Sequence, residues 1–405
     1  MSNEFSRDFS IKQRTVLIAS ASVLALMLGL GGQTATAQDL YWDGTGGLVG
    51  TGDADGGGGP WDSSETNWDD AQSGGNSVTW TDGANAIFGG QDGGSVAVDA
   101  AGVSVNDITV TATTDSTTDY TLTGSGEISA ADGDMALTIE DGQTLVLDTE
   151  INDDSGAANL TVTSGGAGTT GTLDISGNGS LDFDTIDIEG GANVENTGAI
   201  TADNGTNVGA ADGETTSLTN NSTVNGDVTI TSADTGNATV TNTSGATIDG
   251  DVTVGTADAT GSATLGNSGA VTGTVTVDAN GDFTMDDGSV AALINNSDGT
   301  STITGGTVTG STSVSGGTVT SSGTLTGGAT ITGGELNITA GTSGDIDNQS
   351  GTLDIDGGDI GAITNADTLE LGGGTVASVT QSAGSTTVDG DTTVTGTTDI
   401  NGGTF

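Results

Sequence analysis

Almost every side chain that could carry chemistry in this sequence is a carboxylate. The chain has 55 Asp and Glu residues against three Lys and Arg, and it has no His and no Cys. Without His or Cys, the commonest general base and the thiol nucleophile are missing. Two kinds of chemistry remain open to carboxylates alone. Grouped oxygens can hold Ca2+, which takes six to eight of them. Two carboxyl groups about 5–9.5 Å apart can hydrolyse a glycosidic bond. For calcium the sequence offers Asp53 and Asp55, Asp69-Asp70, Asp132 and Asp134, and Asp153-Asp154. None matches the helix-loop-helix calcium loop, and the tandem G-G-x-G-x-D array of calcium-binding solenoids is absent from the sequence. The expectation is weak surface binding of Ca2+, with no required cofactor. For hydrolysis, Asp153-Asp154 or Asp286-Asp287 could serve, but turn Asp residues are common and nothing singles out one pair.

The elements that would position these acids follow from the remaining composition. Arg7, Lys12 and Arg14 precede a mostly apolar run from Val16 to Leu30, and Ala35-Thr36-Ala37 then forms an A-x-A site. This is the pattern of a cleaved signal peptide over residues 1–37. Every basic residue lies inside it, whereas only Glu4 and Asp8 of the 55 acids do. The mature chain therefore carries no Lys, Arg or His. That excludes nucleic acid and anionic membrane as partners, since both are bound through basic side chains. It also removes the basic residue that a polysaccharide lyase of the β-helix type would use. With no Cys there are no disulfides, so another device must hold an exported chain together.

That device is periodicity. From about Gly93 the sequence becomes short β-branched segments such as Ile108-Thr109-Val110 and Leu145-Val146-Leu147, separated by Gly, Asp and Asn. Most alternate apolar residues with Thr, Asp or Ser, as strands with one buried face do. Val224-Asn225-Gly226-Asp227-Val228-Thr229-Ile230 recurs from Ile248 to Val254 and again from Val271 to Val277. Farther on, Ile303, Val308, Val314, Val319, Leu325, Ile331 and Leu336 fall five or six residues apart. A recurrence at offsets of roughly 23–24 residues lies in the range that marks solenoids. The predicted fold is all-β, a right-handed parallel β-helix over residues 93–405 with about 18–24 residues per coil and on the order of 13–17 coils. A Greek-key sandwich is the rival, but it would not keep a fixed register between coils. Residues 38–92 hold all four tryptophans, Trp42, Trp61, Trp68 and Trp80, and are expected to cap the open end of the stack. The alternative for these rings is a sugar-binding platform. Acids at equivalent positions of successive coils would form like-charge ladders, the weak point of such a fold. The Thr-x-Thr triplets at Thr229, Thr239, Thr274, Thr302, Thr318 and Thr330 invite an ice-binding reading, but their spacing would spread them over several faces.

The cap segment also carries a resemblance. Tyr41-Trp42-Asp43-Gly44, Trp61-Asp62, Thr66-Asn67-Trp68, Val78-Thr79-Trp80 and Ala86-Ile87-Phe88-Gly89-Gly90 resemble, in this order, the start of many bacterial autotransporter passenger domains. Val96-Ala97-Val98, Tyr120 to Gly126 and Leu137 to Gly142 continue the likeness, and Ile400 to Phe405 is similar to the Gly-Gly-Thr-Phe strand of the passenger-associated repeat. The detailed match runs from Tyr41 to about Leu147. The resemblance implies a pectin-lyase-like parallel β-helix, export through the inner membrane of a Gram-negative bacterium, and an outer-membrane translocation barrel as partner. The sequence stops at Phe405 with no barrel, so a passenger truncated at its C-terminus is expected.

The expected function is a non-enzymatic cell-surface or secreted protein: an adhesin, rigid spacer or matrix component that meets glycans, other cell surfaces or copies of itself. A calcium-dependent secreted binding module is the alternative, and a β-helix glycosidase the second. The last coil is expected to expose a strand edge, which favours self-association.

Overall fold

A computed structural model describes residues 37–44, 54–90, 92–111, 119–131, 133–154, 156–165, 170–255 and 261–405. Residues 1–36 of the expected signal peptide, together with Asp53 and Asp132, lie outside the described residues. Every regular element among those described is a β-strand, and apart from the first short pairings the strands run parallel. The expected all-β right-handed parallel β-helix is the fold of the chain.

Three ladders climb the stack. In the first, Ile128, Ile151, Leu181, Ile200, Val224, Ile248 and Val271 lie one above the next. In the second the column is Leu137, Val162, Ile188, Val208, Ile230, Val254 and Val277. In the third it is Leu145, Leu173, Val194, Leu218, Val240, Leu265 and Phe283. Among the described residues the third ladder alone is a 16-stranded sheet. Strands of the first and second ladders fuse at Ala270–Val277, Ser289–Asn295, Asp359–Asn365 and Thr375–Gln381.

Period-two alternation decides which side chains enter the columns. Thr172–Ile175, for example, turns Leu173 and Ile175 inward, and Glu335–Ile338 buries Leu336 and Ile338 in the same way. Each fully buried Val, Leu or Ile contributes about 1.5–3 kcal/mol. A single coil has only one layer of such residues, so burial becomes complete only when coils stack at about 4.8 Å. The sequence repeat is the register itself: Val224, Ile248 and Val271 are stacked partners, as are Val228, Val252 and Val275. Coil length, however, ranges more widely than expected. Where Leu145 sits beneath Leu173, Asp148 meets its neighbour Ser176 in the next coil 28 residues on. Where Leu353 sits beneath Leu369, Gly351 meets Asp367 only 16 residues on.

The acids are accommodated at corners. Asp227, Asp251 and Asp345 each accept a backbone N–H from the coil above, from Asp251 (2.8 Å), Thr274 (2.7 Å) and Ala362 (2.8 Å). Like-charge stacking does occur. Asp174 lies under Glu195 and Asp354 under Glu370. Burial, then the neighbouring Asp356, Glu370, Glu335 and Asp389, raise the Asp354 carboxyl above its ordinary value.

Four asparagines replace apolar residues in an inner column of the third ladder. Asn196 Nδ2 donates to Asn220 Oδ1 (2.8 Å), Asn220 to Asn242 (2.9 Å) and Asn242 to Asn267 (2.8 Å). All four are buried. A buried amide is costly unless its donors and acceptors are met. Repetition meets the Oδ1 of Asn220, Asn242 and Asn267, while the Oδ1 of Asn196, at the start of the series, is enclosed without a partner among the described residues.

The N-terminal segment consists of β1 (Asp39–Trp42), β2 (Gly59–Trp61), β3 (Trp68–Asp69), β4 (Ser77–Val78) and β5 (Ala84–Phe88). Strand β1 pairs in parallel with β5 on one edge and antiparallel with β3 on the other, and β3 pairs antiparallel with β4. The reversed strands occupy the edge that another coil would otherwise take. Trp42, Trp61, Trp68, Trp80 and Phe88 are all buried, with ring centroids 4.8–5.9 Å apart in edge-on and tilted contacts. These rings fill the core and offer no stacking platform to a sugar.

Candidate functional site

A concavity lies at the corner between the third and first ladders, where long coils turn. It is a cleft of about 380 Å3 lined by Ala100–Gly102, Gly124–Glu127, Asp148–Glu150 and Asn178. Such a volume is within the range of small-ligand sites. Four successive coils contribute to it. Ile151 stacks on Ile128, so Glu150 lies one strand spacing, about 4.8 Å, above Glu127. Asn152 Nδ2 reaches both carboxylates, at 3.3 Å from Glu127 Oε2 and 3.5 Å from Glu150 Oε1.

Local sequence explains the shape. The corner Gly124-Ser125-Gly126 lets the chain turn tightly against the coil below. A Cβ on Gly126 would stand 1.7 Å from the Asp99 carbonyl oxygen, so only glycine fits there. Thr149 Oγ1 then donates to the Gly126 carbonyl (2.6 Å), fixing the next coil over the same corner.

Asp148 is the best-held acid of the cleft. Its Oδ1 accepts from Ser176 Oγ (2.5 Å) and Asn178 Nδ2 (3.0 Å), and Thr123 Oγ1 lies 3.5 Å from Oδ2. These hydrogen bonds, the Ser176 one foremost, hold its carboxyl below the ordinary value. Asp148 is therefore a firm anion at neutral pH. The cleft thus presents three carboxylates and several amide and hydroxyl groups, the donor set that hydroxyl-rich ligands require.

The acids singled out in the sequence are placed elsewhere. Asp134 Oδ1 accepts the backbone and side-chain N–H groups of Asn159 (3.0 and 2.9 Å). Asp153 Oδ2 accepts the N–H groups of Ala157 (2.6 Å) and Ala158, and exposed Asp154 follows it in the turn. Asp55 sits in the loop before β2, with its carbonyl facing the Asp92 N–H (3.4 Å). Asp286 accepts from Thr304 Oγ1 (2.8 Å) and Asp287 from the Gly288 N–H (2.9 Å), both on the surface. Asp134, Asp153, Asp286 and Asp287 thus serve as local turn acceptors. No group of three or more acids able to hold a metal occurs among the described residues.

Sequence reasoning missed Glu127, Asp148 and Glu150, because only the coil register brings them together. A signal was available: each Glu stands directly before an isoleucine of the same column, in Glu127-Ile128 and Glu150-Ile151.

The outer positions form ordered ranks as well. Along the third ladder Thr239, Thr264, Asp282, Thr300, Thr318, Glu335, Thr352 and Thr368 are stacked partners. A second rank runs beside it through Thr284, Thr302, Thr320, Asn337 and Asp354. Other Thr-x-Thr triplets, at Thr229 and Thr330, fall on the second ladder, so the motif does occupy more than one face.

No protein-family model matches the chain, and neither a curated protein nor a solved structure matches it.

Proposed function

We propose that the chain is a non-catalytic passenger protein of the autotransporter kind, exported with its signal peptide removed and carried across the outer membrane by a barrel partner. On the cell surface or released from it, the protein acts as an adhesin, spacer or matrix component. The observation that carries this reading is the pair of outer ranks on the third ladder, where Thr, Asn and acid side chains repeat coil after coil. Repeated weak hydrogen-bonding positions on one stiff face add up through multivalency. The corner cleft supplies one deeper subsite for a sugar residue, whose hydroxyls would donate to Glu127, Asp148 and Glu150. Exposed Val388, Ile400 and Phe405 favour self-association as a second mode of contact.

Binding of the mature chain to a panel of immobilised bacterial and host glycans tests the proposal. Retention is expected to rise with glycan density and to fall in Asp148→Asn. Equal, density-independent retention on all surfaces would reject it.

A glycosidase is the second reading, favoured by the stacking of Glu127 and Glu150 at about the spacing of a retaining pair. Release of reducing sugar from any panel member, lost in Glu150→Gln, would establish it.

A further inference from the structure

The cap holds a carboxylate that its own surroundings do not explain. Asp43 directly follows β1 and is only 1% exposed, yet neither of its side-chain oxygens makes a well-formed hydrogen bond among the described residues. Alternation along β1 would lead a residue next to buried Trp42 toward solvent. Instead Trp42 and Asp43 are both buried, on opposite faces of the strand.

Register shows what faces Asp43. Tyr41 pairs with Asp69 and Trp42 with Trp68 across the antiparallel β1–β3 contact. Tyr41, Asp43 and Asp69 therefore share the face turned away from the tryptophans. Asp69 is itself fully buried, and on β4 its partner is Ser77, whose Oγ is enclosed without a hydrogen-bond partner. The Ala54 N–H donates to the Gln72 carbonyl (3.1 Å). Asp43 also bridges in parallel to Gly56, next to Asp55. Two buried carboxylates and an enclosed hydroxyl thus share one face of the cap, with Asp55 nearby.

We propose that Asp43 and Asp69 bind a divalent cation of the Ca2+ type inside the cap, with main-chain carbonyls or water completing its oxygen shell. The reasoning is electrostatic. Burying an isolated carboxylate costs far more than a small cap can supply, so such a group either takes up a proton or meets a cation. The mature chain has no Lys, Arg or His to offer. A hard cation that takes six to eight oxygens suits the groups present. The same site can hold a proton instead. Burial, the Asp69 charge and, less strongly, the Asp55 charge raise the Asp43 carboxyl, and the nearby Asp55 N–H only partly offsets them. This inference is independent of glycan binding, which was assigned to another corner of the stack.

All four tryptophans lie in the cap, so terbium bound there is excited through them. The experiment titrates the full mature chain with Tb3+ in concentrated NaCl, which suppresses loosely held ions. Tryptophan-sensitised emission is expected to saturate at one equivalent, to be displaced by Ca2+, and to fall at least tenfold in Asp43→Asn. It should also fade as pH drops and the proton competes. The near-UV signal of the tryptophan cluster reports whether Asp43→Asn keeps its cap; if it does not, Asp69→Asn provides the same test. Undiminished emission from folded Asp43→Asn would overturn the proposal. So would a wild-type cap that melts at the same temperature with Ca2+ or chelator at pH 7 and gives no saturable emission, which would assign the proton alone to Asp43.

Discussion

The stack contains two kinds of coil. On the third ladder the climb from Leu122 to Leu265 goes in long steps, as from Leu145 to Leu173 and from Leu173 to Val194. Hydrogen-bonded neighbours in successive long coils stand 22 residues apart at Asn220 and Asn242, and 28 apart at Asp148 and Ser176. After Leu265 the steps shrink, as from Leu265 to Phe283 and from Leu353 to Leu369. Neighbours there are separated by 18 residues at Asp278 and Asn296, and by 16 at Gly351 and Asp367. Long coils have length to spare at their corners, and the corner cleft lies among them. Short coils spend every residue on strand or tight turn, so their outer ranks run on without interruption. The inner columns differ in degree. The long coils run four buried amides into one hydrogen-bonded series, whereas the short coils join the shorter pair Asn348 and Asn365 (2.8 Å) and scatter enclosed hydroxyls at Thr312, Ser321, Ser343 and Thr386 that meet no partner among the described residues. Thr206 and Ser232 are the long-coil counterparts. Long coils build a site, and short coils build a uniform surface.

The tightest test of this contrast is a matched pair of glycines. Gly341 has φ +80, and a Cβ there would lie 2.0 Å from the Gly323 carbonyl of the coil below. Gly142, in a long-coil turn, has φ +71 with nothing within 4 Å. Gly341→Ala is expected to cost more than about 4 kcal/mol in chemical denaturation. Gly142→Ala should cost only the left-handed penalty of about 1–2 kcal/mol. Similar losses would mean that the short coils are no tighter than the long ones.

Next in size is Asn220→Ala, which breaks the amide series in its middle. It strands the Asn242 acceptor and removes the acceptor of Asn196, and a loss of about 2–3 kcal/mol is expected from thermal melting. In the short coils the opposite sign is expected. Ser321→Ala removes a hydroxyl that is already unsatisfied and should stabilise the stack by about 1 kcal/mol.

The smallest effect concerns pH and has opposite sign in the two regions. Asp148, lowered by its hydrogen bonds, contributes stability above about pH 4 that is lost as pH falls through its depressed value. Asp354, raised by burial and its acid neighbours, contributes stability at low pH that is lost as pH rises through its elevated value. Asp148→Asn should therefore lower the melting temperature at pH 7 and not at pH 2. Asp354→Asn should raise it at pH 7 and not at pH 3, by an amount that shrinks in strong salt.

The fold was legible in the sequence because a coil repeats its inward residues. The segments beginning at Val224, Ile248 and Val271 are stacked partners, and the apolar residues from Ile303 to Leu336 visit the third, first and second ladders in turn. Coil length was less legible. Corner residues carry no period, so a long stretch such as Leu145 to Leu173 and a short one such as Leu353 to Leu369 can close equivalent turns. The sites were least legible of all. Glu127 and Glu150 meet across a coil, and Asp148 reads as one more turn acid until Ser176 and Asn178 are seen around it. Asp43 reads as a surface residue because it directly follows buried Trp42, and strand alternation alone would turn it outward.

The run from Asn196 to Asn267 has a consequence for how the chain finds its pairing. A strand with period-two alternation can slide by two residues and still point every apolar side chain inward. Apolar columns therefore forbid odd slips but discriminate poorly against even ones. An even slip near Asn220 would set an amide against leucine or valine and leave its donors in a dry interior. The four asparagines act as index marks on a strip that otherwise looks the same from one notch to the next.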